Sequence, residues 1–153
     1  KLPRLISAQS LGCYPINRAI QNDEPWEPME ENTIADSISV GVPRNADKAL
    51  MAIRESNGIA VNVSDEEILA AQRVLGRTCG VFGEPAGVTG AAALKKACEE
   101  GLIPHDATVV SVVTGNGLKD VANAIKSAGE PIHIEPDLEL MVSEFRKRGV
   151  TVE

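Results

Sequence analysis

No apolar run in these 153 residues approaches the roughly 20 that a membrane-spanning helix needs, the longest being of the length of residues 109–113. A chain with 43% hydrophobic and 24% charged residues reads as one soluble globular domain with a real core. Positive charge is also short. Fifteen Lys and Arg against 22 Asp and Glu leave a formal net charge of −7, whereas general binding to nucleic acid needs a basic face. Cysteine is scarce and scattered. Cys13, Cys79 and Cys98 form no C-x-x-C pair and have only His105 and His133 to assist them, so no metal site is expected. They read as reduced core thiols of a cytoplasmic protein. The phosphate fingerprints G-x-G-x-x-G and G-x-x-x-x-G-K-[ST] are missing, which removes the commonest nucleotide sites. Lys1-Leu2-Pro3-Arg4-Leu5-Ile6 is neither an initiator-methionine start nor a signal peptide, and the chain reads as a fragment of a longer protein.

What is present alternates helices with short apolar strands, the pattern of an α/β domain with a mostly parallel sheet and flanking helices. Residues 5–8 read as a strand and 14–21 as a helix introduced by Gly12 and Pro15. Residues 22–43 hold Pro25, Pro28, Pro43, the single Trp26 and the Glu30-Glu31 pair. Regular structure is not expected there, and loops this long in compact domains are often functional. Within it, Thr33-Ile34-Ala35-Asp36-Ser37-Ile38 mixes small polar and apolar residues, as a pocket-lining segment does. Asn45 caps a helix whose Ala46, Ala49, Leu50 and Ile53 form one stripe, ended by Gly58. Residues 59–63 read as a strand, and Ser64-x-x-Glu67 is a capping box opening a helix to about Arg77. The small-residue stretch 86–100 reads as a deeply buried helix closed by Gly101. Beyond it, 108–113 reads as a strand, 117–128 as a weak helix, 132–134 as a strand, 138–148 as a helix and 150–152 as a last strand.

Two motifs invite a chemical reading. Glu84-Pro85-Ala86-Gly87-Val88-Thr89-Gly90 opens the small-residue helix. Structure alone explains its start, because proline suits the first helical position and a carboxylate there meets the positive end of the helix dipole. Gly87 and Gly90 are harder to explain. Each costs about 1 kcal/mol against Ala in a helix, so close approach of another backbone or a flat ligand is expected to compensate. The second motif is the run Val109-Val110-Ser111-Val112-Val113-Thr114-Gly115-Asn116-Gly117-Leu118-Lys119-Asp120, where an apolar strand delivers a hydroxyl into a glycine turn. Ligands collect beyond the carboxyl ends of such strands, although Gly and Asn are also ordinary turn residues.

Taken with Gly101-Leu102-Ile103, these two motifs resemble the C-terminal part of the threonine synthases, pyridoxal-phosphate enzymes of the tryptophan-synthase β-like fold (fold type II). The resemblance reaches back through Pro3-Arg4-Leu5-Ile6-Ser7-Ala8-Gln9-Ser10, Tyr14-Pro15-Ile16 and Thr33-Ile34-Ala35-Asp36-Ser37-Ile38, and is loose beyond Asp120. It implies that residues 1–153 form a single C-terminal piece making up most of the larger domain. It also implies pyridoxal 5'-phosphate as cofactor, O-phosphohomoserine as substrate, the remaining N-terminal part of the enzyme as partner, and homodimers as a frequent assembly. Thr114 is then the hydroxyl facing the pyridine nitrogen, Glu84 lies near the ring, and Gly115 and Asn116 shape the turn beneath it. Being neutral, Thr114 does not enforce a protonated pyridine as a carboxylate would, which suits elimination and replacement chemistry.

The family's other two cofactor parts fall outside this chain. No lysine here stands in the Ser-Phe-Lys-Asp context of the family's aldehyde-binding lysine, so no catalytic residue is assigned and the piece alone is expected to be inactive. Lys119-Asp120 echoes that context but belongs to the pyridine-side motif, so Lys119 reads as a solvated or helix-start residue. The cluster Gly80-Val81-Phe82-Gly83 is too poor in glycine to be the phosphate loop. Two alternatives stay open: a serine or threonine dehydratase of the same fold, whose Glu-Pro-Ala-Gly segment is similar, and a non-catalytic ligand-binding α/β module.

Overall fold

Two parallel strands organise the chain in the computed structural model, which describes residues 2–129 and 131–150. Strand β1 (Ile6–Ser10) pairs with β2 (Ile59–Val63) in the register Ile6 to Ile59 through Ser10 to Val63. The connection between them carries α1 (Pro15–Asn22), the long loop and α2 (Ala46–Glu55). Then follow α3 (Asp65–Cys79), α4 (Pro85–Glu99), α5 (Val121–Ala128) and α6 (Leu138–Lys147). Among the described residues this is α/β with six α-helices and one parallel strand pair. None of the described helices is long and apolar enough to cross a membrane.

Side-chain alternation along β2 decides which helix covers which face. Val61 and Val63 are buried with Val88, Ala92, Ala93 and Ala97 of α4 and Ile68 and Ala71 of α3. The small side chains of α4 let its axis come close to the sheet. On the even-numbered face, Asn62 meets α1 instead. The fully buried Asn17 amide donates to the carbonyls of Ser7 and Val61 and to Asn62 Oδ1 (3.3, 3.0 and 2.7 Å), stapling α1 across both strands.

Local signals hold where they were strongest. Ser64 and Glu67 form the capping box in full, Pro85 takes the first turn of α4, and Ala46, Leu50 and Ile53 are the buried stripe of α2. Asn45 occupies the cap position of α2, but its side chain makes no capping bond. The long loop is irregular except for a 3-10 turn at Asp36–Ile38, and side chains pin it. Asp65 accepts from the Thr33 hydroxyl at 2.6 Å and from the Ile34 amide at 3.1 Å, while the Trp26 indole donates to Asp47 at 3.0 Å.

Several expectations need correction. Residues 108–113 form no strand, and Val110 and Val112 are 86% and 70% exposed. Their β-branched side chains favour extended backbone, but a strand exists only through a ladder, and no described segment lies in register beside them. Instead Val109 and Val112 line a cavity of about 580 Å³ together with Leu5 and with Ile6 of β1. Residues 132–134 also lie outside any strand. In the expected strand 150–152, Val150 has no regular structure and the other two residues lie outside the described ones. The stretch 117–128 is not one helix but a 3-10 turn (Gly117–Lys119) followed by α5, because Asp120 breaks the run and caps α5 through the Asn123 amide at 3.1 Å. Of the three thiols expected in the core, only Cys13 is buried; Cys79 and Cys98 are exposed at the ends of α3 and α4. Burial pushes the Cys13 thiol pKa up, and Glu31 adds to this against a backbone hydrogen bond at Val40.

Candidate functional site

The start of α4 and the turn after Thr114 are held together by main-chain bonds. Gly83 and Asn116 form an antiparallel bridge, flanked by the Glu84 amide donating to the Gly115 carbonyl at 2.9 Å and the Gly117 amide donating to the Phe82 carbonyl at 2.8 Å. Glu84, Gly115 and Asn116 are thus neighbours across more than thirty residues of chain. The buried Gln72 side chain steadies the junction from α3 by donating to the Gly83 carbonyl at 2.7 Å.

Absent side chains make that contact possible. A Cβ on Gly87 would stand 2.8 Å from the Gly115 nitrogen and 3.3 Å from the Thr114 nitrogen, so the expected close approach of another backbone is the reason for this helical glycine. A Cβ on Gly115 would collide with the Glu84 carboxylate, and one on Gly117 with the Phe82 ring, at 2.5 Å. Gly90 is different. Its nearest neighbour would be the Ser111 hydroxyl at 3.4 Å, an ordinary contact, and it faces the 580 Å³ cavity.

Each expected site residue has a distinct setting. Thr114 is exposed, and among the described residues no hydrogen bond engages its hydroxyl. Asn116 turns its side chain inward on the chain, accepting from the Leu118 amide at 2.9 Å and so capping the 3-10 turn. Glu84 is only 7% exposed. It lines a cavity of about 420 Å³ with Ile34, Asp36, Ser37, Pro85 and Lys119, so the loop segment proposed from sequence to line a pocket does line one. Thr114 does not line this cavity.

The space at Gly87 and Gly115 is taken by the chain's own backbone and the Glu84 carboxylate, whereas the exposed, unengaged Thr114 hydroxyl is a neutral donor of the kind a pyridine nitrogen accepts. The residues present therefore fit the pyridine side of pyridoxal phosphate. Sequence reading gave Lys119 as a solvated or helix-start residue, which agrees with its exposure at the end of a 3-10 turn, but missed its pairing, and it missed the cap at Asp120. Lys119 approaches Glu84 across 35 positions, a distance no local pattern reports. Asp120 carried a legible signal, an Asp directly before a helix.

The chain matches the family model described as pyridoxal-phosphate dependent enzyme over residues 1–115. It is 43% identical over 145 residues to the threonine synthase of Methanocaldococcus jannaschii, covering 92% of this chain and 35% of that protein. It is 44% identical over 140 residues to that of Methanosarcina acetivorans, covering 90% and 35%. Among solved structures, Escherichia coli threonine synthase matches with a TM-score of 0.64 at 18% identity, covering 92% of this chain and 32% of that one. Maize serine racemase matches at 0.60 and 21%, covering 82% and 38%; both likenesses show the fold. The chain spans about a third of the length of the curated relatives it matches.

Proposed function

Since this chain belongs to the pyridoxal-phosphate dependent enzymes, we propose that it is the C-terminal part of a cytoplasmic threonine synthase, a lyase of threonine biosynthesis. The complete enzyme would convert O-phosphohomoserine and water to threonine and phosphate. One observation carries the reading: the Glu84-Pro85 start of α4 and the Thr114–Asn116 turn, motifs that together resemble the threonine synthases, meet through the Gly83–Asn116 bridge. The similarity to threonine synthases over about nine-tenths of the chain supports it.

The cofactor, when bound, withdraws electrons from the substrate's carbon skeleton. The residues of this chain orient it. Thr114 would present a hydroxyl to the pyridine nitrogen, and Gly87 and Gly115 allow the turn that carries this hydroxyl to lie flat on the first turn of α4. Because the hydroxyl is neutral, the ring stays a milder electron sink than a carboxylate partner would make it. The lysine and phosphate loop that complete the site, and the contacts to the substrate phosphate, would come from the N-terminal part of the enzyme, so the 153-residue chain alone is inactive.

Assay of the complete enzyme decides the reaction. Phosphate release from O-phosphohomoserine is expected; formation of a ketoacid from threonine instead would assign a dehydratase. For the isolated chain, stoichiometric pyridoxal phosphate followed by borohydride should label the exposed lysines only weakly and without preference; one lysine labelled stoichiometrically would overturn the expected inactivity.

A further inference from the structure

The carboxylate of Glu84 has a side chain only 10% exposed, and a buried carboxylate is costly unless a positive group answers it. That group is the Lys119 ammonium. It stands 3.2 Å from Oε2 and 3.4 Å from Oε1 of Glu84, with the Ser37 hydroxyl at 3.5 Å. The lysine's own side chain is 65% exposed, so the pair costs little to desolvate on that side.

The carboxylate is not merely near the glycine turn. It fills the space that a side chain at position 115 would take, since a Cβ there would run into Oε1, Cδ and Cγ of Glu84. Glu84 therefore grips residue 115 twice, by its side chain and by the bond from its amide to the Gly115 carbonyl. Gly87 backs the same turn from beneath.

We infer that Lys119 is a positioning residue: by pairing with Glu84 it clamps Gly115 onto the first turn of α4, and so fixes where the adjoining Thr114 hydroxyl points. The clamp itself is geometric, while its meaning for the cofactor rests on the function proposed above. The same contacts tie the clamp to the 3-10 turn of the long loop through Ser37, so three segments distant in sequence share one charge pair.

Amide hydrogen exchange on the complete enzyme, freed of cofactor and without substrate, tests the clamp. In Lys119→Met, exchange at Glu84 and Gly117, whose amides bridge to the turn, should speed up by about tenfold, a local opening. Exchange at Ile68 and Ala93 in the core should stay unchanged, and Lys119→Arg should restore protection to within about threefold. Unchanged exchange at Glu84 and Gly117, equal loss at Ile68, or an Arg variant no better than Met would overturn the proposal. In the complete enzyme, Lys119→Met should weaken pyridoxal phosphate by about tenfold, read from its dissociation constant, and Lys119→Arg should recover it. If exchange behaves as expected while cofactor affinity is unmoved, the clamp stands for the turn and the cofactor role of Thr114 fails.

Discussion

Gly87 and Gly90 lie one turn apart on α4 and pose the same question, yet the fold answers it in two ways. Gly87 has the backbone of residues 114 and 115 against its α-carbon, and backbone cannot move aside. Gly87→Ala should therefore destabilise the chain by about 1–3 kcal/mol, the usual cost of overpacking, in thermal or urea unfolding. Gly90 has only a side-chain hydroxyl at ordinary contact distance. Gly90→Ala should stabilise by about 0.5–1 kcal/mol, the helix propensity recovered. Both glycines were legible as anomalies in a helical sequence; which was required was not, because the answer depends on what crosses over each.

The elements divide by whether their stability is local or borrowed. Helix α3 carries its own start signal in Ser64 and Glu67, and α4 its proline, so both were readable to within a residue or two. Helix α6 buries no residue and depends on local terms. Arg148 and Lys147 hold the Glu144 carboxyl below the ordinary carboxylate range, Arg148 most strongly. A carboxylate whose pKa is lowered by folding stabilises the folded form above the ordinary range, and that contribution fades as pH falls toward the lowered value. Backbone NMR shifts of residues 138–147 should accordingly report fraying of α6 as pH drops below the ordinary carboxylate range, while those of Ile68 and Ala71 of α3, held in the core, stay in place and only the first turn of α3, where the Glu66 carboxyl is likewise lowered, responds. The failed strands follow the same division. A run of valines prefers an extended backbone, but its pairing is decided by neighbours that no local pattern names.

The whole molecule leaves an apolar surface open beside a cavity. Val110 and Val112 are mostly exposed, and Leu5 and Leu102 flank the adjoining cavity at 39% and 41% exposure. Contiguous patches of this kind favour association. The chain by itself should bind the dye ANS and self-associate at micromolar concentration, and Val110→Lys with Val112→Lys should reduce both in dye fluorescence and sedimentation. Unchanged dye binding in that double variant would place the patch elsewhere.

The amino-acid sequence alone determined the α/β class, the caps and spans of the well-marked helices, and the two glycine-bearing motifs. These depend on periodicity, capping chemistry and turn residues within a few positions of one another. Only the tertiary structure decided that Glu84 lies on Gly115, that Lys119 answers the buried carboxylate, and that residues 108–113 stand without a strand beside them. Those are contacts between segments about thirty to a hundred positions apart. Their energies come from burial and close approach in three dimensions, which leave no periodic trace along the chain.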